Sequence, residues 1–144
     1  MNQEMISDRV FKSLKHKYKD YEVFTKGEEL EKGYKPDFVL SKTNNYVILE
    51  SENSSSRKTF VGGLMKASHF LRFEKTGILI FVIVPKKNTR AQSIARHLLN
   101  YFTFIKPLTN LNKVYVIEAE KYYYQNEVVE ILEKDFINCC FEVK

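Results

Sequence analysis

Residues 36–53 of the chain are PDFVLSKTNNYVILESEN, and this stretch decides the fold. Two short apolar runs, FVL and YVIL, flank a polar segment, which is typical of a β-hairpin. Acidic residues stand at its open end, because Asp37 opens the first strand, Glu50 closes the second, and Glu52 follows. Side chains alternate along a strand, so Glu50 and Glu52 are expected on the same face.

The register of the hairpin decides how Asp37 joins these two acids. With Thr43-Asn44 as the two loop residues, Asp37 lies opposite Glu50, whereas Asn44-Asn45 places it opposite Glu52. In both registers three carboxylates share one patch. Like charges that face each other across a sheet are destabilising, so such a cluster favours a bound cation, and Mg²⁺ suits one or two carboxylates plus waters. The alternative is a solvated acidic strand end.

Length and composition limit the class of protein. A chain of 144 residues predicts one domain spanning 1–144, with 44% hydrophobic and 28% charged residues as in ordinary globular proteins. A net charge of +5 weakly favours an anionic partner such as nucleic acid. No apolar run reaches transmembrane length and the N-terminus lacks a signal-peptide pattern, which predicts an intracellular, cytoplasmic protein without a membrane partner.

The cysteines and histidines suggest no metal site. Cys139 and Cys140 are adjacent, a spacing that suits neither a structural zinc site nor an ordinary disulfide, and they are expected to be free thiols. The three histidines, His16, His69 and His97, are scattered through segments with helical patterns, and they are assigned no role.

Hydrophobic periodicity places further elements around the hairpin. The expected elements are a helix over 3–19, a strand over 21–25, the hairpin over 36–41 and 46–51, a helix over 57–74, a strand over 77–84, a helix capped by Asn88 or Thr89, a strand over 113–119 and a helix over 126–136. The run GILIFVIV is apolar on both faces, which indicates an interior strand covered by helices. The order predicts an α/β fold with a mixed central sheet flanked by helices.

Two glycines near the start of the second predicted helix, Gly62 and Gly63, need an explanation, because glycine is costly in a helix. Either another backbone or a ligand approaches closely there, or the first turn is loose.

The motif and its setting resemble a known family. Pro36-Asp37, twelve further residues and Glu50-Ser51-Glu52, within an order of helix, three strands, helix and strand, look like the PD-(D/E)XK nuclease superfamily. Its members include many restriction endonucleases, archaeal Holliday junction resolvases and several repair and phage nucleases. The resemblance covers about residues 3–84 and implies a restriction endonuclease-like α-β-β-β-α-β core. It also implies that Asp37 and Glu50 ligate Mg²⁺ or Mn²⁺, with the backbone carbonyl of Ser51 as a further ligand.

The chain departs from the family pattern at Glu52, where the family usually has lysine. Three outcomes are open. Glu52 acts as a base or binds a second metal, as the Glu of a minority of restriction endonucleases implies. Alternatively, Lys58 or Lys66 on the following helix supplies an ammonium group, or the site is inactive.

The first helix of this family often adds an acid or amide to the metal shell. Glu4 lies on the flank of the apolar stripe and is favoured for this role over Asp8, which points farther toward solvent. Either acid is also explained as a simple N-terminal helix acid that the macrodipole favours.

The resemblance implies a Mg²⁺-dependent endonuclease that hydrolyses phosphodiester bonds in DNA. Basic residues that could contact the phosphate backbone are Arg57, Lys58, Lys66, Lys86, Lys87 and Arg90. The tyrosines at 122–124 are expected either to stack on bases or to pack at an edge. A homodimer of the restriction type is compatible with these features. The alternative is a catalytically inactive nucleic-acid-binding or assembly module on a decayed nuclease fold.

Overall fold

The computed structural model describes residues 7–144, which form a mixed six-stranded sheet with helices on both faces. The elements are α1 (Asp8–Ser13), β1 (Glu22–Thr25), β2 (Phe38–Lys42), β3 (Asn45–Glu52), α2 (Arg57–Phe70), β4 (Thr76–Ile83), α3 (Ala91–Ile105), a 3₁₀ turn (Lys106–Leu108), β5 (Leu111–Glu118), α4 (Ala119–Tyr122), β6 (Tyr123–Tyr124), β7 (Glu127–Val128), α5 (Lys134–Cys139) and β8 (Phe141–Glu142). Within this described part, no helix is long and apolar enough to cross a membrane.

The sheet has the strand order β1-β2-β3-β4-β5-β8. The pairs β3–β4 and β4–β5 are parallel, and the other neighbouring strands are antiparallel. This arrangement confirms the predicted α/β class with a mixed central sheet. The short strands β6 and β7 form a separate two-stranded hairpin.

The hairpin of β2 and β3 adopts the first of the two expected registers. Phe38 pairs with Leu49 and Lys42 pairs with Asn45, so the loop consists of Thr43 and Asn44. Thr43 has a positive φ of 56°, the backbone conformation that a two-residue hairpin turn requires. Extending the register by one pair places Asp37 opposite Glu50.

Strand β4 lies in the interior of the sheet, as its sequence predicted. Its side chains from Leu79 to Ile83 are buried and divide between two hydrophobic clusters. Leu79 and Phe81 face the cluster that includes α2 and α3, while Ile80 and Val82 face Phe11 and the C-terminal segment. Because both faces are covered, almost every residue of this strand is apolar.

Within the described residues the first helix covers only Asp8–Ser13, much less than the part of the predicted span of 3–19 that the structure describes. Residues 3–6 of that span lie outside the described residues. The helix ends at Ser13, and the Phe11 carbonyl accepts hydrogen bonds from the Leu14 N–H at 3.2 Å and from His16 Nε2 at 2.8 Å. His16 is buried and its other ring nitrogen lies 2.6 Å from the Tyr122 hydroxyl. This long-range contact draws the chain into the core and ends the helix despite its continuing periodicity.

Two other helix boundaries also differ from the expectations. Helix α2 ends at Phe70, because the backbone of Leu71 already leaves the helical conformation with a ψ of 73°, and the chain then turns through Phe73 at a positive φ of 59°. Helix α3 begins at Ala91 with Arg90 as its N-cap, instead of Asn88 or Thr89. Thr89 is unsuited to capping because it pairs with Lys86 in an isolated β-bridge.

The helix predicted over 126–136 is wrong. Gln125 and Asn126 both have positive φ, 49° and 68°, and they form the turn between β6 and β7. A six-residue helix follows only at Lys134–Cys139. Cys139 and Cys140 are free and half-buried, as expected.

Candidate functional site

Asp37 and Glu50 face each other at the open end of the β2–β3 hairpin and are joined through the backbone. The Asp37 N–H donates to Glu50 Oε1 at 3.1 Å, and the Ser51 N–H donates to Asp37 Oδ2 at 2.8 Å. Each carboxylate therefore accepts a hydrogen bond from a backbone N–H on the opposite strand. These reciprocal bonds fix both carboxylates on the sheet face of the cluster that includes α2, Tyr34 and Phe81, and Gly63 of α2 lies beside both Phe81 and Glu50.

The proline before Asp37 affects the hydrogen bonding of the Ser51 carbonyl. Val84 donates its N–H to the Glu52 carbonyl at 3.3 Å, so the backbone groups of even-numbered residues of β3 bond to β4. The backbone N–H and C=O of odd-numbered residues, including Ser51, therefore point toward β2. In the observed register the residue opposite Ser51 is Pro36, which has no N–H. Strand β2 therefore offers no donor to the Ser51 carbonyl, and this oxygen is suited to the role of a cation ligand.

The electrostatics of the pair indicate a site that favours added positive charge. Burial and the neighbouring Asp37 carboxylate raise the pKa of Glu50 to about 8. Burial also raises the pKa of Asp37 to about 6, although the hydrogen bond from Ser51 acts in the opposite direction. Either a proton or a metal ion would offset this clustered negative charge. Two carboxylates plus a backbone carbonyl fit the oxygen ligands that Mg²⁺ takes, with waters completing its shell.

Glu52 does not join the pair directly. Its side chain accepts a hydrogen bond from the Ser54 N–H at 2.8 Å, although its charge contributes to the raised pKa of Glu50 and of Asp37. Among residues 7–144, no group of three or more Asp, Glu, His and Cys side chains is placed to hold one metal ion. The expected convergence of three carboxylates is thus reduced to a pair with a third acid nearby.

Helix α2 brings a lysine and a glycine to this pair. The positive charge of Lys66 acts on Glu50 and lowers its pKa. At Gly63, an added Cβ would lie 3.0 Å from the Phe81 ring and 3.8 Å from Glu50 Oε2, while the same atom at Gly62 would meet nothing within 4 Å. Gly63 therefore permits the close approach of α2 to the site. Lys66, one of the two candidate lysines, is therefore linked to Glu50 through its charge.

Helix α1 also reaches the site. Asp8 raises the pKa of Asp37 by its charge, and Lys12 lowers it. The Lys12 side chain lies across Gly27, since a Cβ added there would be 2.6 Å from Lys12 Cε. Sequence reasoning missed Lys12, although its position one turn after Asp8 was a usable signal. Glu4, the acid favoured for the metal shell, lies outside the described residues.

The basic residues divide into two groups. Arg57, at the start of α2, donates from Nη2 to the Asn88 carbonyl at 3.0 Å, which joins α2 to the loop after β4. Exposed lysines at this edge of the sheet and along α2 are Lys58, Lys66, Lys86 and Lys87. Arg90 differs because its Nε and Nη2 donate to the two oxygens of the buried Glu118 carboxylate, at 2.8 and 2.9 Å. Arg90 therefore anchors the start of α3 to Glu118, and its contact with phosphate stays a prediction.

Two tyrosines have roles that the sequence did not reveal. Tyr122 is fully buried and hydrogen-bonded to His16, so it cannot stack on a base, whereas Tyr124 is 74% exposed. Tyr34 is 3% exposed, and its hydroxyl oxygen is buried without a hydrogen-bond partner among the described residues. The only sequence signal for Tyr34 was its place two residues before Pro36.

Comparison with known proteins adds no assignment. The chain matches no protein-family model, and it has no significant match among curated proteins or solved structures. The site must therefore be interpreted from its own chemistry.

Proposed function

We propose that this chain is a metal-dependent endonuclease that hydrolyses phosphodiester bonds in DNA. The observation that carries the proposal is the reciprocal arrangement of Asp37 and Glu50, two half-buried carboxylates fixed on one face beside a backbone carbonyl that β2 does not use. Carboxylates held this way in a partly buried site are electrostatically unfavourable until a cation or a proton joins them. A Mg²⁺ or Mn²⁺ ion is the cation that such oxygen ligands favour.

In this proposal Asp37, Glu50 and the Ser51 carbonyl hold the metal. A bound divalent ion would stabilise the charge that develops on the phosphoryl oxygens and lower the pKa of the attacking water. Glu52, two residues beyond Glu50 on the same face, would accept the proton of that water. Lys66 would supply the positive charge that the family motif places at position 52, because its ammonium already acts on Glu50.

The proposed DNA contacts lie on the edge of the sheet where β3 and β4 end. Arg57, Lys58, Lys86 and Lys87 follow these two strands in the chain, so their positive charges stand on the same side as Glu50. Lys66 lies farther along α2, and its positive charge acts on Glu50. Contacts of this kind bind the phosphate backbone without reading sequence. Salt-dependent affinity, with a slope that decreases when these lysines are replaced, is the expected signature.

The deciding experiment compares the wild-type chain with Asp37→Ala on supercoiled, linear, single-stranded and branched DNA, in Mg²⁺, Mn²⁺ or EDTA. Cleavage that requires the metal and is lost in Asp37→Ala supports the proposal. Absence of cleavage on every substrate, together with no rise in melting temperature on addition of metal, refutes it.

A second comparison tests which lysine replaces the missing one. Lys66→Met and Lys58→Met both remove one positive charge from exposed positions of α2. We expect Lys66→Met to lower kcat by about 100-fold, in the range for a group that stabilises charge in the transition state, and Lys58→Met to change mainly the affinity for DNA. Equal losses of kcat in both variants would remove the special role of Lys66.

The second candidate function is a catalytically inactive DNA-binding or assembly module. The observation that favours it is the turning of Glu52 toward the Ser54 N–H, together with the absence of lysine at position 52. Such a module keeps the basic edge and binds DNA in a salt-dependent manner without metal or cleavage. The homodimer that belongs to the nuclease hypothesis, as in restriction enzymes, is tested by the mass of the particle in solution.

A further inference from the structure

The Tyr34 hydroxyl is a buried polar group whose bonding the protein itself does not complete. Tyr34 is 3% exposed, and its Oη has no hydrogen-bond partner among the described residues. Most buried hydroxyls in native proteins are paired, and each one that is not requires an explanation. A buried hydroxyl without a hydrogen bond destabilises the fold, so phenylalanine at position 34 would give a more stable core if the side chain acted only by packing.

The surroundings of Tyr34 connect this hydroxyl to the proposed site. The ring packs in the same cluster as Ile48 and Phe81, on the sheet face from which Glu50 projects. The acids whose charges act on the hydroxyl are Glu50, Glu31 and Asp37, and together with burial they raise the pKa of Tyr34, so that it keeps its proton. The hydroxyl is therefore a hydrogen-bond donor that lies near the carboxylate pair without bonding to it.

The backbone fixes Tyr34 in this position. Its N–H donates to the Glu31 carbonyl at 2.9 Å, and its carbonyl accepts from the Leu30 N–H at 2.9 Å. The side chain of Glu31 is in turn held by His69 Nδ1 of α2 at 2.7 Å. The turn before β2 is thus held by hydrogen bonds within the turn and by one contact with α2. These contacts keep the phenol ring packed against the covered face of the sheet.

We propose that Tyr34 is a positioning residue, whose hydroxyl donates a hydrogen bond to a water ligand of a divalent cation held by Asp37 and Glu50. This inference rests on the proposed metal site and adds an outer ligand partner to it. Outer partners orient the ligands of a metal, and their loss typically lowers metal affinity by about 10- to 100-fold. Mg²⁺ retains several waters when it binds to protein, so a donor beyond the direct ligands has a defined target.

Tyr34→Phe tests the inference, because it removes only the hydroxyl. Ser68→Ala is the matched control, since the Ser68 hydroxyl is also buried without a partner but belongs to α2 away from the carboxylates. Asp37→Asn is the control for the metal site itself. Two quantities are measured for each protein: the melting temperature in EDTA, and the Mg²⁺ and Mn²⁺ affinities by calorimetry at a pH above the Glu50 pKa of about 8.

The expected pattern separates metal binding from stability. In EDTA, Tyr34→Phe and Ser68→Ala should melt at or above the wild-type temperature, because each loses an unpaired buried hydroxyl. With metal, Ser68→Ala should match the wild type, Tyr34→Phe should bind about tenfold more weakly, and Asp37→Asn should not bind.

Three outcomes overturn the inference in distinguishable ways. Equal metal affinity in Tyr34→Phe and the wild type removes the role of the hydroxyl and leaves the proposed function intact. A lower melting temperature of Tyr34→Phe in EDTA means that the hydroxyl bonds to the protein itself. No metal binding by the wild type refutes the proposed function, and the inference fails with it.

Discussion

Replacement of Glu50 by glutamine should stabilise the metal-free protein increasingly as the pH rises. The pKa of Glu50 is raised from 4.5 to about 8, so the folded state holds a proton that the unfolded state has released. The protonation of Glu50 makes its full contribution to the unfolding free energy below pH 4.5, and this contribution is lost as the pH rises through about 8. Glu50→Gln imitates the protonated side chain at every pH and keeps an oxygen to accept the Asp37 N–H.

The useful pH range for this measurement lies between 6.5 and 8. Asp37, with a pKa of about 6, and His16, with an unfolded pKa of 6.5 and a folded pKa of about 4, still contribute to the slope near pH 6.5, but they do so in both proteins and cancel when Glu50→Gln is compared with the wild type. Over this range the wild type should lose about 2 kcal/mol of unfolding free energy through Glu50 alone, from one pKa unit being 1.36 kcal/mol. Glu50→Gln should lose none of it.

Urea unfolding in EDTA, followed by tyrosine fluorescence, provides the assay, because the chain has nine tyrosines and no tryptophan. Glu120→Gln is the control, since it removes the same charge from an exposed side chain. Parallel plots of unfolding free energy against pH for the wild type and Glu50→Gln would show that Glu50 is not held beside Asp37 in a buried position, and would refute the description of the site.

Two further predictions concern packing and the first helix. Gly63→Ala should destabilise the fold by about 1–3 kcal/mol, because the new methyl group would lie 3.0 Å from the ring of Phe81. Gly62→Ala has open space around the new methyl group and should stabilise α2 by up to about 1 kcal/mol. Urea unfolding of both variants tests this contrast, and equal changes in unfolding free energy would contradict it. Burial lowers the pKa of His16 to about 4, so its contribution is complete above pH 6.5 and lost as the pH falls toward 4. His16→Gln should therefore flatten the loss of stability in acid, and an unchanged acid profile would show that His16 is not buried as a neutral ring.

The part of the fold that the sequence predicts correctly is the part governed by local pattern. The hairpin follows from alternation and a two-residue turn, and the interior position of β4 follows from its apolar faces. The opposition of Asp37 and Glu50 is one of the two registers that the sequence left open, and the Thr43-Asn44 loop of the structure selects it. These features need no knowledge of distant residues.

The features that the sequence did not predict depend on distant contacts or on single rotamers. The end of α1 is determined by His16 and Tyr122, which are 106 positions apart in the chain. The position of Glu52 depends on whether its carboxylate turns to the Ser54 N–H or toward the hairpin, a choice that strand alternation leaves open. The role proposed for Tyr34 depends on its hydroxyl having no hydrogen-bond partner among the described residues, which only the folded structure shows.

The presence of clustered acids is an argument for catalysis only if nothing else stabilises them. Backbone N–H groups partly satisfy Asp37 and Glu50, and a proton on Glu50 removes the remaining repulsion near neutral pH. An inactive module could therefore retain both acids without metal. The nuclease and the inactive module differ in what happens to the proton on Glu50. In a nuclease, Mg²⁺ must displace this proton, so metal binding near pH 7 should release about one proton per ion. Calorimetry in buffers of different ionisation enthalpy measures this release, and binding of metal without it would place the ion away from Glu50.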